Sequence, residues 1–328
     1  MQIRPFDTGD TAQWDAFCEG AWSATFLHSR RFLSYHADRF QDRSLILEEK
    51  GAVVALLPAA LDPQDPTTVV SHPGISYGGL VHAGALRGEG ALQALQAVCR
   101  HYAGQGLARL RYKALPHIYH RVPAQDDLYA LFRLQALRYR CDLSACIDLG
   151  ARPPAGSRRR RGARRAEAAG LQYVQGICQA PALWAILEEN LQRKHGARPV
   201  HSLAEIELLA GRFPDRITLH AALHEGRAVA GLVLFRTCHA VHAQYIATSA
   251  AGEALGALDG LFEHAIGLAA AQGLRWFDFG ISNEDAGWRL NAGLHQFKSE
   301  FGSGGVVHEF YELPLTDNGR LPPPQLPG

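Results

Sequence analysis

The chain has 328 residues, 47% hydrophobic and 20% charged, with a formal net charge of +1. That length suits two domains better than one, and the near-neutral balance excludes a global field drawing the protein onto nucleic acid or a membrane. The longest apolar run, Ala52 to Leu61, is too short to span a bilayer and contains Pro58. Asp7, Asp10 and Asp15 stand where a secretion signal would be basic and then apolar, so a cytoplasmic protein is expected.

Residues 1–40 mix short helical patterns with a loop, and Trp14, Phe17 and Trp22 are expected to pack on the first domain. Thr25 to Tyr35 reads as a short helix with Arg30 and Arg31 on its polar side. Arg43 to Glu48 reads as a strand, Glu49-Lys50-Gly51 as a hairpin turn and Ala52 to Leu61 as the return strand. Ser71 to Val81 is glycine-rich, with Tyr77 expected to be exposed between turns. Ala91 to Gly104 has the period of an amphipathic helix and Leu107 to Tyr112 that of a strand.

The second half repeats this plan. Asp215-Arg216 opens a strand as Asp42-Arg43 did, Glu225-Gly226 makes a turn as Lys50-Gly51 did, Val229 to Phe235 returns, and Val241 to Thr248 is a third strand. A helix with Leu258, Leu261, Phe262, Ala265, Ile266 and Ala269 on one face follows, and Gly273 sits where a helix C-cap is wanted. Gln-Gly-Leu recurs at 105–107 and 272–274. Matching order at matching offsets argues for two copies of one αβ unit, and strand, hairpin, strand, helix, strand argues for a mixed sheet. Arg275 to Phe279 then reads as a buried strand, Asn283 to Asp285 as a polar loop, and Trp288 to Phe301 as a second helix carrying Lys298.

Between the copies, Arg152 to Leu171 reads RPPAGSRRRRGARRAEAAGL. The prolines break structure, and Ser157 can cap a helix running to Gly170. Arg158, Arg161 and Arg165 lie on one stripe of that helix, Arg160 and Arg164 on the next. Forked guanidiniums in a stripe suit a diphosphate, as in a nucleotide-sugar, and equally RNA phosphates; a solvated basic helix is the plain alternative. The tail after Leu315 is rich in Pro and Gly and is expected to be disordered. The expected division is 1–150, a linker helix at 151–171, 172–315, and a disordered 316–328.

Asp278 lies in an apolar strand between Phe277 and Phe279. Pointing inward, it would be desolvated and its pKa raised, as a base requires; the alternative is a structural pairing with an arginine or a backbone amide. Lys298 is either an oxyanion or phosphate ligand or a solvated helix lysine. Lys194 and His195 follow a helix from Ala182 to Arg193 and either face the cleft or end that helix. His242 and Gln244 share one strand face, where they can line an acceptor pocket. Ser282, Asn283 and Asp285 either cap the second helix or touch ligand. The six cysteines show no CxxC or zinc spacing and are expected to be reduced and mostly buried, and the histidines include no HExxH, so no metal is expected.

Four features together resemble the FemAB-like branch of the GNAT acyltransferase superfamily: the tandem repeat, the basic helix from Arg158 to Leu171, the strand-end FDFG at 277–280 and the closing FKSEFG at 297–302. That branch includes CelD-like acetyltransferases of polysaccharide biosynthesis and the aminoacyl transferases of peptidoglycan cross-bridges. The resemblance covers roughly 40–315. It implies an α/β (α+β) chain of two tandem GNAT-like domains with mixed, mostly antiparallel sheets flanked by helices. It implies transfer of an acyl group, with acetyl expected, from acyl-CoA (acetyl-CoA) or from an aminoacyl-tRNA to an amine of a nucleotide-linked amino sugar or cell-envelope precursor. A non-catalytic nucleotide- or glycan-binding protein is the alternative of another class. By resemblance, Lys298 matches the family's lysine in FKxxFG, Arg158, Arg161, Arg164 and Arg165 match its helix near the acceptor phosphates, and Tyr77-Gly78-Gly79 matches a loop lining the cleft. The stretch equivalent to the family's pyrophosphate loop, Ser249 to Leu258, keeps Gly252 and Gly256 but lacks the basic residue, and the helical arm of some cross-bridge enzymes is absent.

Overall fold

The computed structural model describes residues 1–195 and 199–315, the side chains of residues 193–195 excepted. Mixed sheets, mostly antiparallel, are flanked by helices. Backbone contacts divide the chain into two units. Unit 1 comprises Met1–Asp142, Asp285–Trp288 and the described residues from Val307 onward; unit 2 comprises Leu143–Glu284 and Arg289–Val306. The expected tail at 316–328 lies outside the described residues.

Each unit carries the hairpin read from the sequence. In unit 1, Leu45–Glu49 pairs with Ala52–Leu57; in unit 2, Ile217–His224 pairs with Arg227–Arg236. Both turns take positive φ at both central residues, 51° and 81° at Lys50 and Gly51, 50° and 77° at Glu225 and Gly226. That geometry matches the twist of paired strands and favours glycine at the second position. Both long helices, Glu89–Ala103 and Ala257–Ala271, end alike. The amide of Leu107 bonds the carbonyl of Tyr102 and that of Leu274 bonds Ala269, each across a glycine with positive φ, Gly106 and Gly273.

Each unit also contains one parallel strand pair. In unit 1, Asp65–Val70 runs parallel to Arg109–Lys113, and the ladder ends at Val70 and Arg111. Beyond it the chain fills its own opening. Ser71 donates its amide to Arg111 O, Gly78 donates its amide to Lys113 O (2.9 Å), and the Lys113 ammonium donates to His72 O and Ile75 O. Gly78 packs so close that a Cβ there would lie 1.8 Å from Ser71 O. In unit 2, Ala240–Thr248 runs parallel to Trp276–Ile281, and the ladder ends at His242 and Asp278.

The unit 2 sheet runs in the order Leu137–Asp148, Trp276–Ile281, Ala240–Thr248, Arg227–Arg236, Ile217–His224, Gln172–Gln175. Phe277 and Phe279 turn toward the Ala257–Ala271 helix and join a buried aromatic cluster with Phe262, Phe297 and Phe301. Side chains alternate across a strand, so Asp278 faces the other way.

Three local expectations are corrected. Thr25 to Tyr35 is not one helix but short segments at Phe26–His28, Arg30–Leu33 and Ser34–Arg39, because Thr25 and Ser29 each start a fresh turn by accepting backbone amides. Arg30 is buried there, its guanidinium stacked on Phe6 and Trp14 and paired with Asp42, rather than lying on a polar side. The second helix spans only Ala292–Ser299. Asn291 caps it, taking the role expected of Ser282, Asn283 or Asp285, and a small hairpin pairs Asn283–Glu284 with Arg289–Leu290 ahead of it. The cysteines are free thiols, of which Cys178 and Cys238 are exposed.

Candidate active site

The polar residues of unit 2 converge where the parallel ladder ends. Asp278 is wholly buried. Its Oδ2 lies 2.7 Å from Nδ1 of His242, directly opposite on the neighbouring strand. Its Oδ1 accepts from the Ser144 hydroxyl and, at 3.1 Å, from the Gly280 amide. Gly280 has φ of +79°, and a Cβ there would stand 3.1 Å from Cε1 of His242. Glycine therefore serves twice at this position: it permits the left-handed turn that returns an amide to Asp278, and it leaves room for the imidazole.

Lys298, in the last turn of its helix, is 3% exposed. Its ammonium donates to Gly280 O at 2.9 Å and Ile281 O at 2.6 Å. Burial pulls its pKa from 10.5 down to about 8, against the upward pull of the Asp278 carboxylate. Asp278, Lys298 and His242, each singled out in the sequence, thus belong to one cluster, tied together through the backbone of residues 280–281. Two of the three ammonium N–H groups are engaged by those carbonyls, which leaves one to address a ligand.

Gln244 lies two residues beyond His242 and is half-buried, at a bulge where Val233 and Leu234 pair with Tyr245 and Ala243. Gly252 and Gly256 follow on the same chain segment. Their lack of side chains is accounted for by packing. A Cβ at Gly252 would meet Val229 O at 2.3 Å, and one at Gly256, where φ is +71°, would meet Gly162 O at 2.5 Å. The short Ala250–Leu255 helix, which contains Gly252 and is capped by Gly256, carries Glu253 in its first turn and no cation.

The basic helix spans Ser157–Ala168 within unit 2. It packs against the Ala257–Ala271 helix through Arg159, Gly162 and Ala166. Arg159 is the buried member of the run. It pairs with Asp259 at 2.5 Å and Glu300 at 3.1 Å and stacks on Phe297. Arg158, Arg160, Arg161, Arg164 and Arg165 are exposed and spread over the opposite face. This mainly guanidinium face, with Glu167 at its C-terminal end and no ion pair within 4 Å for these five arginines among the described residues, is suited to a polyanion.

Tyr77 corrects the expectation of exposure. It is 4% exposed in unit 1, its hydroxyl donating to Thr25 Oγ1 at 3.3 Å and its ring packed on His28 and Tyr119. The glycine-rich turns around it fold inward, held by Lys113, so the ring is enclosed. The Lys194 side chain lies outside the described residues. Ser144 escaped the sequence reading, because its partner stands 134 residues away and only strand register joins them. Among the described residues no group of three His, Cys, Asp or Glu is placed to hold a metal ion, and no helix is long and apolar enough to cross a membrane.

Comparison with known proteins bears on the fold. Residues 156–291 match the family model of the acetyltransferase (GNAT) domain. Among solved structures, FemX aligns with a TM-score of 0.69 at 10% identity, over 97% of this chain and 98% of that one. L-PGS from Bacillus licheniformis aligns at 0.62 and 14% identity, over 92% and 91%. A tandem GNAT protein from the clavulanic acid biosynthesis pathway aligns at 0.51 and 14%, over 96% and 98%. At such identities the likeness is one of fold. No curated protein sequence matches the chain.

Proposed function

We propose that this chain, whose residues 156–291 match the GNAT acetyltransferase domain, is a FemAB-like acyltransferase that N-acylates an amine of a nucleotide-linked amino sugar or a related cell-envelope precursor. The observation that carries the reading is the buried Asp278 holding His242 at the point where two parallel strands part. In this reading His242 is the general base. Asp278 fixes the imidazole with Nδ1 as donor, so Nε2 takes the proton from the attacking amine.

The step balances as follows. The amine nitrogen attacks the thioester carbonyl carbon, a C–N bond forms, and the π pair moves to oxygen. The remaining N–H of Lys298 steadies that oxyanion, and the charge of the ammonium acts in a dry setting where it is worth more than in water. Collapse restores the carbonyl, breaks the C–S bond, and the thiolate leaves to be protonated by the imidazolium. The exposed arginines 158, 161, 164 and 165 supply the grip on the acceptor's phosphates, since forked donors engage two oxygens each.

A second donor is favoured by one observation. The segment from Ser249 to Gly256 has no cation, and Glu253 stands in its first helical turn. A coenzyme A pyrophosphate there would be held by backbone alone, whereas an aminoacyl-tRNA donor makes no such demand. The decisive experiment incubates the protein with acetyl-CoA and a panel of UDP- and dTDP-amino sugars, and in parallel with charged tRNA, reading products by mass spectrometry. A mass gain of one acetyl on an amino sugar supports the primary reading. Aminoacylation from tRNA replaces it with the second. No product with either donor overturns both.

A further inference from the structure

We propose that unit 1 holds a ligand site of its own, a pocket that takes an organic carboxylate on the side-on fork of Arg30. Its residues lie between Phe6 and His72, all within unit 1, and take no part in the transfer proposed above.

Arg30 forms part of the wall of an open pocket of about 530 Å³, large enough for a small organic molecule. The residue is 7% exposed. Its Nη1 donates to Asp42, and its backbone amide donates to Asp15 Oδ1 at 2.5 Å. Among the described residues nothing accepts from Nε or Nη2, although both atoms are shut off from solvent. Those two nitrogens share one edge of the guanidinium, the fork that meets both oxygens of a carboxylate at once. A buried donor without an acceptor is costly, more so on a charged group, and here a whole edge lacks one. The Phe6 and Trp14 rings, centred 3.4 and 4.2 Å from the guanidinium carbon, hold its face in place and so fix where that edge points.

Charge and lining together select the ligand. Asp42 offsets part of the Arg30 charge and Asp15 lines the same pocket, so a phosphate dianion would meet two carboxylates, whereas a monoanion meets less repulsion. A positive field remains for that monoanion. At His72, on the same wall, burial and then the charges of His36, Lys113, Arg30 and His28 all oppose protonation. Phe6, Leu33 and Phe40 give the pocket an apolar lining, with Thr11 at an exposed rim. A carboxylate head on an aliphatic or aromatic body matches both features.

The fork is closed to solvent in this structure, so the wall shifts when the carboxylate enters. Ala37, which lines the pocket, holds φ of 50° and ψ of −124°, a conformation costly for a residue with a Cβ. Strain of this kind gathers at ligand clamps, and it lowers the cost of moving the backbone that carries it.

Isothermal titration calorimetry on the full chain tests the site, with sodium benzoate and sodium hexanoate as probes and benzamide and inorganic phosphate as controls. Wild type is compared with Arg30→Lys and Thr11→Trp. Lysine keeps a charge beside Asp42 and loses the fork; tryptophan keeps the fork and fills the rim. Both carboxylates are expected to bind wild type, and benzamide and phosphate to bind on the order of tenfold more weakly or not at all. Each variant is expected to weaken the carboxylates on the order of tenfold or more. Melting temperatures close to wild type show that the variants are folded. Carboxylates that fail to bind wild type at millimolar concentration overturn the proposal. So does an affinity that a folded Arg30→Lys leaves unchanged or, where that variant does not fold, one that Thr11→Trp leaves unchanged. Phosphate that binds more tightly than either carboxylate and is lost in Arg30→Lys overturns the ligand class.

Discussion

Nδ1 of His242 and Oδ2 of Asp278 stand 2.7 Å apart across the last rung of the parallel ladder that joins their strands. One is half-buried and the other wholly enclosed, so the pair presents an imidazole outward on a fixed anionic base. A pair that acts as one unit should fail as one unit. Asp278→Asn and His242→Ala are each expected to lower kcat by about 10²- to 10⁴-fold, and the double variant to be no slower than the worse single one. Steady-state kinetics with acetyl-CoA check this; losses that multiply in the double variant would separate the two residues.

Lys298 gives a pH signature. With its pKa brought from 10.5 to about 8 by burial, it is charged below that pH and neutral above it. If the charged form steadies the reacting oxygen, kcat falls as pH rises through about 8. Lys298→Arg keeps its charge and removes that limb. Stability moves the other way. The unfolded lysine holds its proton up to about 10.5, so between about 8 and 10.5 the unfolded state binds more protons and the folded state gains stability with rising pH. Lys298→Met flattens that rise, as denaturant unfolding across the window will report.

The arginine run divides by burial. Arg159→Ala removes a guanidinium bonded to Asp259 and Glu300 and leaves the buried Asp259 carboxylate without its partner, at a cost of about 3 kcal/mol. Replacing Arg158, Arg161 and Arg165 by Gln is expected to change stability by about 0.5 kcal/mol or less each. The same triple variant raises KM for a UDP-amino sugar and weakens the salt dependence of that KM. Urea midpoints and kinetics at two ionic strengths read both effects, and a triple variant with unaltered KM removes the exposed face from the acceptor site.

The glycines between the two packed helices bear on stability. A Cβ at Gly162 would come within 1.6 Å of Asp259 Oδ2, and Gly256 is held at φ +71° against Gly162 O. Gly162→Ala and Gly256→Ala are each expected to destabilise by about 1–3 kcal/mol, the usual cost of overpacking. Melting temperature and acetyl-CoA KM, measured together, check this. A Gly256→Ala protein with an unchanged melting temperature and a raised KM would support a place for that glycine at the donor site.

The duplicated hairpin and the paired helix ends were legible because turn chemistry is local. Lys50-Gly51 and Glu225-Gly226 state their backbone angles in two residues, and so do the glycines after each long helix. The Asp278 strand was legible as buried because aromatic residues flank it. His242 was legible as a strand residue able to line a pocket but not as the partner of Asp278, since that meeting needs a parallel pairing of segments 36 residues apart. Tyr77 misled because glycine-rich turns mark exposed loops in general, whereas here they close over a strand opening under the hold of Lys113.

The sequence by itself determined the periodic faces, the turns, the helix stops and the clustering of guanidiniums on one segment, all of which follow from side-chain chemistry and spacing within a dozen residues. Only the tertiary structure decided which polar groups share a buried volume. Ladder register joined Ser144, His242 and Asp278, helix packing chose Arg159 alone among its neighbours for burial, and the turn at Gly280 drew Lys298 to the same strand end. The reason is physical. A hydrogen bond between groups far apart in sequence depends on strand alignment to within one residue, and no local preference in the chain encodes that alignment.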